Sequence, residues 1–336
     1  MTSLTLVRSP AARRRGRLTA PVAALARGLA TLLTVALVST LLTFGLAALG
    51  DANPAAAVLG ETATTADIAR MNHEFGLDRP FPERYATWLG HALTGDLGTS
   101  WFTRLPVAES IAERLPVDLS ITAFAVLLAV LAGGLAGIGA AVNAGGRFDR
   151  AVTAVCAAAS TVPAFVVGIG LIVLFAVVVP IFPSGGYVPL SEDPGQWLRL
   201  VTLPAIALSL DSAADIARQL RTALVGTLRE NYVTGAVVRG LSRRRVLLRH
   251  ALRNAAGPAV TVLGLHIPRL LGGAVVTEAV FALPGLGQLT GEAALKSDVP
   301  VIQGTLLTII VMVLLSNVVV DAVVLRLRPG TGRRTS

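Results

Sequence analysis

Three charged side chains interrupt a long apolar stretch of the sequence. Asp211 and Asp215 are four residues apart, and Arg218 follows three residues later, so a helix would place all three near one face. Ionisable groups inside a membrane are costly and face a cavity or a partner. Two interpretations stay open: Asp211 lines a pathway and favours cationic or amino-bearing substrates, or Asp215 pairs with Arg218 while Asp211 bonds to a neighbouring helix.

Four other polar residues within or beside apolar stretches are further candidates for a pathway. His266 either contributes to the pathway or forms a hydrogen-bonded contact between helices. Glu278 precedes the run Pro284–Gly287, which either gates the outer mouth of a pathway or forms an ordinary re-entrant turn. Asn317 and Asp321 are four residues apart, and we expect them to join helices or pair with an arginine rather than touch a substrate.

The sequence lacks the patterns that would predict an enzyme. Lys296 is the only lysine, and no glycine-rich phosphate-binding loop precedes it, so the chain should not hydrolyse ATP itself. Neither a zinc-protease nor a serine-hydrolase motif occurs, and no nucleophile with a matching base is evident. Cys156 is the only cysteine, which excludes an intrachain disulfide and a cysteine-based metal site. We therefore expect this chain to bind no cofactor and no metal.

Composition places these residues in a membrane protein. Of the 336 residues, 53% are hydrophobic and 15% are charged, against about 25% charged residues in a soluble domain. A helix of about 20 apolar residues crosses the hydrocarbon core, and a backbone in lipid must satisfy its own hydrogen bonds. The predicted fold is an all-α membrane protein with about six transmembrane helices. The six apolar stretches are Val22–Leu49, Leu119–Val142, Ala151–Val179, Leu200–Val225, Pro258–Phe281 and Val301–Leu325.

The arginines predict the orientation of these spans, because cytoplasmic loops carry an excess of basic residues. The net charge is +9. Its arginines concentrate in the N-terminal tail, the loop after the second span, the segment after the fourth span and the C-terminal tail. These regions share one side if six spans alternate, so we expect a multi-pass protein of the cell membrane with both termini cytoplasmic. No basic stripe is interleaved with stacking aromatic rings, which argues against nucleic-acid binding.

The predicted domain organisation follows from the spans. A first helix could be a cleaved signal peptide, but its apolar run exceeds the usual signal core of about 7–15 residues and favours a retained helix. The loop after it should contain two amphipathic helices, near Ala66–Phe75 and Phe81–Thr94. The predicted units are a basic cytoplasmic tail (1–21), the first transmembrane helix (22–49), an external subdomain (50–116), a transmembrane core (117–326) with a coupling segment (229–254), and a cytoplasmic tail (327–336).

The segment 229–254 carries the pattern that is most informative about function. Helix-forming stretches flank Gly240-Leu241-Ser242; Gly240 can end one helix in a left-handed conformation, and Ser242 can cap the next. Apolar side chains among arginines suit a groove on another protein. The alternative is a basic loop held to anionic lipid headgroups, which leaves the Gly-Leu-Ser break unexplained. The candidate contact residues are Tyr232, Ala236, Gly240, Leu241, Ser242, Arg245, Leu248, His250, Arg253 and Asn254.

This segment resembles the cytoplasmic coupling motif of binding-protein-dependent ABC importer permeases. That motif usually reads E-A-A, three residues, then Gly, and ends in a Pro. Gly235-Ala236 stands near the E-A-A, Gly240 is the glycine and Pro258 is the terminal proline. The glutamate of the motif is missing from this sequence, so the resemblance to the generic motif is incomplete.

A longer resemblance, to dipeptide and oligopeptide permease subunits of the DppB/OppB type, covers nearly the whole chain after about Ala23. The chain departs from that family in its R-L-R-P-G tail, Arg326–Gly330, and in Asp118, where a threonine is common. The matching signatures are L-D-R-P-F-P-E-R-Y, W-L-G and G-D-L-G-T-S between Leu77 and Ser100, P-V-A-E-S-I-A-E-R-L-P at Pro106–Pro116, V-P-A-F-V-V-G-I from Val162, E-A-V-F-A-L-P-G-L-G at Glu278–Gly287, and the Asn317/Asp321 pair.

The resemblance implies a machine of several subunits. Two related permease subunits form the pathway, two cytoplasmic ATPases use ATP and Mg²⁺ beneath them, and an external solute-binding protein delivers the substrate. The coupling segment would dock into one ATPase, whose closure would rock the permease helices between outward and inward states. Similar permeases handle dipeptides, longer peptides, nickel complexes and other solutes. The competing hypothesis is a secondary transporter driven by an ion gradient, with Asp211 and Asp215 as proton sites.

Overall fold

The computed structural model describes residues 10–50, 53–272 and 275–327, and helices make up most of these ranges. Within them no β-strand occurs, and the only β-type pairing is an isolated bridge between Thr99 and Pro106. The predicted all-α class is confirmed for this part of the chain. The distal parts of both predicted tails, residues 1–9 and 328–336, lie outside the described residues, so those parts of the predictions stay untested.

The first helix, α1 (Pro10–Leu49), contains an apolar stretch, Ala30–Leu49, that is long enough to cross a membrane. One face of α1 packs against the last helix of the described chain. Gln303 of that helix donates a hydrogen bond from Nε2 to the backbone oxygen of Thr40 at 3.0 Å. The contact joins the two ends of the described chain into one bundle.

Three short helices follow α1: α2 (Pro54–Leu59), α3 (Thr65–Glu74) and α4 (Phe81–Leu93). The last two lie where amphipathic helices were predicted. Thr64 and Asp67 form a capping box at the start of α3, each accepting a hydrogen bond from the other's backbone N–H. The Thr64 hydroxyl also donates to the Asp67 carboxyl and holds its pKa below the ordinary value.

The next helix, α5 (Val107–Val142), begins ten residues before residue 117, where the transmembrane core was predicted to start. The stretch Pro106–Pro116 is therefore mostly the first turns of α5, not part of a separate unit. Pro116 lies inside the helix; its missing N–H and fixed φ do not end the helix there.

The third predicted span is not a straight helix. The stretch Ala151–Val179 forms α6 (Arg147–Ala159) and then α7 (Ala164–Ile172), which continues as a π-helical turn at Val173–Val178. The two parts meet at an angle of 100°. Pro163 supplies the physical reason: it lacks a backbone N–H and disfavours a helical conformation in the residue before it.

The long helix α8 (Pro194–Leu228) forms the centre of the molecule. It packs against α5 along most of its length and also contacts α6, α7 and the helix that follows the hook described below. Its N-terminal half contributes Val201, Leu203 and Ala205 to the largest hydrophobic core, together with Val117 and Ile121 of α5. Its apolar face is thus turned into the protein rather than toward lipid.

After α8 come the short helices α9 (Asn231–Val238) and α10 (Arg243–Arg245), a π-helical turn at Val246–Ala251, and α11 (Leu252–Gly272). The chain ends with α12 (Val275–Val280), α13 (Leu286–Lys296) and α14 (Val299–Leu327).

In the described residues, four helices are long and apolar enough to cross a membrane: α1, α5, α8 and α14. The bent α6–α7 pair would make a fifth span. The predicted span Pro258–Phe281 corresponds to α11 and α12, which are separated by residues 273–274, outside the described part. The total of six spans therefore remains a prediction.

Candidate functional site

Residues 229–254, called the hook from here on, fold into two short helical segments joined by a tight turn. At that turn Gly240 has φ +84°, in the left-handed region that favours glycine. The Leu241 N–H donates to the Ala236 carbonyl at 3.2 Å, and the Gly240 N–H donates to the Val237 carbonyl at 2.9 Å. This is a Schellman arrangement, so the predicted role of Gly240 as a helix terminator is confirmed.

The predicted capping by Ser242 is only half right. Ser242 occupies the N-cap position of α10 with extended backbone angles, but its side chain makes no capping hydrogen bond. Its carbonyl accepts from the Val246 N–H at 3.0 Å. The second segment of the hook then continues as a π-helical turn from Val246.

A small apolar core fixes the two segments of the hook against each other. Val233 and Ala236 of α9 are buried against Val246, and Leu228 and Leu241 pack on this cluster. At the base of the hook, Asn254 Nδ2 donates a hydrogen bond to Tyr232 Oη at 2.7 Å. The hook is thus a compact unit rather than a loose loop, because its inner face is packed and its ends are tied.

The outer face of the hook exposes apolar side chains beside arginines. Val238 is 81% exposed, and Tyr232, Val237 and Leu248 are also exposed. An open depression of about 420 Å³ lies between Leu248 and its basic neighbours. Arg245 and Arg253 are exposed, whereas Ala236 is buried and His250 half-buried. The residues that line the depression are Ser242, Arg244, Arg245, Leu248 and Arg249.

A second polar cluster joins α8 to α11 inside the apolar part of the molecule. Asp215 forms an ion pair with Arg218 one turn further along α8. His266 of α11 places Nε2 2.8 Å from Asp215 Oδ2 and Nδ1 3.7 Å from Asp211 Oδ2. The structure therefore adds His266, which the sequence proposed separately, to the three residues predicted to share one face of a helix, and its imidazole is buried between the two carboxylates. The side chain of Asp211 remains 44% exposed.

Glu278 lies in a different place, against a carboxyl partner that the sequence analysis did not identify. Glu278 and Asp118 are almost fully buried, in contact with each other and with Gly285. Asp118 Oδ2 accepts from the Leu286 N–H at 2.7 Å, and Glu278 Oε2 accepts from the Gln288 N–H at 2.8 Å. Both carboxyls thus sit on the N-terminus of α13, where free N–H groups favour negative charge.

The remaining candidates, Asn317 and Asp321, are exposed on α14. Neither forms a side-chain hydrogen bond or ion pair with another residue in the described part of the chain. The helix contact that was expected for them is therefore not formed within this part of the subunit.

An ion pair that joins α6 to α8 was not predicted from the sequence. Arg221 donates from Nε and from a terminal nitrogen to the two oxygens of buried Asp149, at 2.5 and 2.6 Å. The residues are 72 positions apart, so no local pattern indicates the pair. The one available signal was an acidic residue in the first turn of a helix.

Comparison with known proteins identifies the family. Residues 133–333 match the model of the binding-protein-dependent transport system inner membrane component, and residues 23–122 match the model of its N-terminal region. A Brucella abortus protein named as a peptide transport system permease is 38% identical over 287 residues, covering 85% of this chain and 91% of the relative.

Two relatives with more specific names, and one solved structure, are also similar to this chain. The di/tripeptide transport system permease protein DppB of Pseudomonas aeruginosa is 37% identical, covering 88% of this chain and 95% of its own length. The Escherichia coli dipeptide transport system permease protein DppB is 34% identical, with 84% and 90% covered. An inward-facing structure of the MetNI methionine ABC transporter has a TM-score of 0.54 at 18% identity, covers 65% of this chain and 96% of the matched chain, and supports the fold alone. The chain is therefore a multi-pass membrane protein that belongs to the family of binding-protein-dependent transport system inner membrane components.

Proposed function

We propose that this chain is one permease subunit of an ATP-driven importer of short peptides. In this proposal it forms the translocation pathway with a second, homologous permease subunit. Two ATPase subunits bind ATP and Mg²⁺ on the cytoplasmic side, where both termini also lie. An external solute-binding protein delivers the peptide. The family match and the names of the relatives, which refer to peptide, dipeptide and di/tripeptide transport, support this assignment.

The observation that carries the proposal is the outer face of the hook. An ordinary basic loop on a lipid surface needs only its arginines. The hook has in addition a packed inner face and exposed apolar side chains at Val237, Val238 and Leu248. Apolar anchors with a charged rim are typical of protein interfaces. A groove on an ATPase subunit fits this surface better than a headgroup layer does.

The position of the hook explains how motion of an ATPase would reach the pathway. The hook directly continues α8 at one end and α11 at the other. These are the two helices that His266 joins to Asp211 and Asp215. Displacement of the hook would therefore move both helices together, with the polar cluster between them. ATP must favour one of the two resulting states for transport to be driven.

The competing secondary-transporter hypothesis has less support. The hook would have no partner in such a protein, and the family comparison places the chain among components that work with a binding protein. The polar cluster of α8 and α11 then has the role of a pathway wall or a helix contact, not that of a proton carrier. Nickel as a substrate has no support in the names of the relatives described above.

Cross-linking tests whether an ATPase sits on the hook. In a Cys156→Ser background, Val238→Cys gives the most exposed apolar position of the hook a single thiol. Coexpression with the ATPase subunits of the same system and treatment with a maleimide–benzophenone reagent, whose photoactivated end inserts into C–H bonds and needs no second thiol, should join permease and ATPase. We expect an electrophoretic band with the summed mass, which diminishes when nucleotide drives the ATPases into another state.

Leu295→Cys is the matched control, because Leu295 is equally accessible at 90% exposed but lies near the end of α13. It should give no product with an ATPase. The proposal fails if Val238→Cys forms no such product in an assembled complex, or if Leu295→Cys forms as much of it.

A further inference from the structure

A cavity of about 300 Å³ opens between the short helices α3 and α4 and the outer parts of α1 and α14. Ligand pockets range from about 300 to 1,000 Å³. Phe44 of α1 and Pro300 of α14 contribute to its wall, so it lies where the segment between α1 and α5 meets the bundle. A second cavity, of about 460 Å³, adjoins it and shares Arg84, Trp101 and Val299 as lining residues. We call the two together the aromatic pocket.

Aromatic rings form most of the apolar wall of the first cavity. Phe75 and Trp101 stack with ring centroids 5.0 Å apart. Phe44 and Trp88 face each other at 6.4 Å. All four line the first cavity. Rings held by each other present a firm apolar surface to a side chain of a ligand, at little cost in side-chain entropy.

Arg84 is the cation shared by both cavities, and it has no anionic partner among the described residues. Its guanidinium carbon lies 5.5 Å from the centroid of the Phe44 ring, and partial burial lowers its pKa. The other arginines nearby are paired, Arg79 with Glu83 and Arg104 with Glu74. A half-buried guanidinium without a carboxylate is ready to accept one from a ligand, because Arg binds carboxylates through two parallel hydrogen bonds.

Two buried polar atoms of the aromatic pocket also lack hydrogen-bond partners within the part of the chain that the structure describes. They are the indole nitrogen Nε1 of Trp88, a donor, and the side-chain oxygen Oδ1 of Asn72, an acceptor. Trp88 lines the first cavity and Asn72 the second. Buried polar groups are normally paired, and an exception calls for an explanation. A ligand with an acceptor near Trp88 and an N–H near Asn72 would satisfy both.

We propose that the aromatic pocket binds a free carboxylate carried next to an apolar side chain, the chemistry of the C-terminal end of a short peptide. Arg84 and the Trp88 N–H hold the carboxylate, the rings hold the last side chain, and Asn72 accepts from a peptide N–H. The carboxylates of Glu74 and Asp78 at the edges of the pocket disfavour a phosphate dianion. This inference rests on the proposed function and adds to it a substrate site outside the membrane bundle.

Tryptophan fluorescence tests the proposal on the purified full-length chain in phosphatidylcholine nanodiscs. Two of the three tryptophans, Trp88 and Trp101, line the aromatic pocket, whereas Trp197 packs against Phe124 elsewhere. The dipeptide Ala-Phe should change the emission saturably, and the change should be reduced in Trp88→Phe and lost when Trp101→Phe is added. Its C-terminal amide, which lacks the carboxylate, should bind at least tenfold more weakly. Arg84→Gln should weaken binding of Ala-Phe at least tenfold.

Arg70→Gln is the control variant, because Arg70 is an exposed arginine of α3 outside the pocket and should leave binding unchanged. Equal affinity for Ala-Phe and its amide would overturn the proposal without any variant having to fold. An unchanged affinity for Ala-Phe in Arg84→Gln would also overturn it. A fluorescence change that appears without peptide, when phosphatidylglycerol replaces phosphatidylcholine, would overturn it as well, since the pocket would then bind a lipid headgroup. The assay contains no ATPase, so its failure is distinguishable from a failure of hook cross-linking.

Discussion

At the scale of single residues, the contact around His266 decides what the intramembrane charges can do. One imidazole lies between two carboxylates of α8, and Arg218 neutralises one of them. Asp215 is thereby committed to contacts within the protein. Asp211 has only the longer contact of 3.7 Å and an exposed side chain, so it is the member of the cluster that can face a solute. The Asp215–Arg218 pair of the second interpretation is present, and Asp211 also approaches His266 of the neighbouring helix α11. A role of Asp211 in the pathway stays a prediction.

Asp211→Asn should reduce uptake of cationic peptides more than uptake of neutral ones. The substitution removes a negative charge without changing the shape of the side chain, and an exposed ion pair contributes about 0.2–1 kcal/mol. That corresponds to a fall of up to about fivefold in uptake efficiency for a peptide that pairs with Asp211. Competitive uptake of a lysine-containing and a neutral dipeptide into reconstituted vesicles measures the ratio directly.

Neutral peptides are the internal control for this prediction. Asp215→Asn should instead impair transport of both classes, because it removes partners from Arg218 and His266 at once. An equal loss for both peptide classes in Asp211→Asn would show that Asp211, too, only holds helices together.

Prediction of a residue's role from the sequence succeeded where the role depends on neighbouring residues in the chain. Gly240 could be identified as a helix terminator because its neighbours fix the hydrogen bonds of the turn. The Asp149–Arg221 and Asp118–Glu278 contacts could not, since each joins positions far apart in the chain. Knowing that a residue is charged and lies in a helix does not indicate which distant residue the fold brings to it.

At the scale of helices, the interface of α5 and α8 depends on two small residues one turn apart. A Cβ atom at Gly133 would lie 2.5 Å from the backbone oxygen of Ala213, and one at Gly137 would lie 2.8 Å from that of Ala217. The backbones of the two helices are therefore in direct contact, as small residues allow in membrane bundles. Gly134 on the same helix has no atom within 4 Å of such a Cβ. The sequence of α5 contains four glycines, Gly133, Gly134, Gly137 and Gly139, and does not indicate which of them face α8.

Gly133→Ala should destabilise the protein, and Gly134→Ala should not. The added methyl group at Gly133 would overlap the backbone of α8, and overpacking of this kind costs about 1–3 kcal/mol. At Gly134 the methyl group meets open space, and Ala is favoured over Gly within a helix by roughly 0.5–1 kcal/mol. Thermal unfolding of the two purified variants in the same detergent should give a lower midpoint for Gly133→Ala only. Equal midpoints would mean that the two helices do not touch at this position.

Helix-level prediction failed mainly at boundaries and bends. The amphipathic helices α3 and α4 could be placed because their polar and apolar faces alternate with the helical period. The bend between α6 and α7 could not be seen from apolarity, because both parts are apolar and only Pro163 marks the break. The early start of α5 was hidden by its charged first turns, which include Glu109. Hydrophobicity indicates which residues suit lipid but does not indicate where a helix begins.

At the scale of the whole molecule, exposed charge and exposed apolar surface occupy different regions. The exposed apolar side chains of α1, α5 and α14 include Leu46, Leu135 and Val319. The arginines of the hook lie beyond the end of α8, and the ion pairs of the segment between α1 and α5 lie beyond the end of α1. Bundles of this kind match a bilayer, with apolar surface at its middle and charge on either side.

The side of the membrane on which each charged region lies is predicted from the arginines and can be measured with single thiols. In a Cys156→Ser background, Arg239→Cys places a thiol on the hook and Leu93→Cys places one at the end of α4, where Leu93 is 78% exposed. Because basic segments stay cytoplasmic, a membrane-impermeant maleimide applied to intact cells should label Leu93→Cys and should spare Arg239→Cys. Permeabilisation should make both react, which shows that each thiol is accessible. Labelling of Arg239→Cys in intact cells would place the hook outside, where no ATPase could reach it, and would contradict both the orientation and the coupling role.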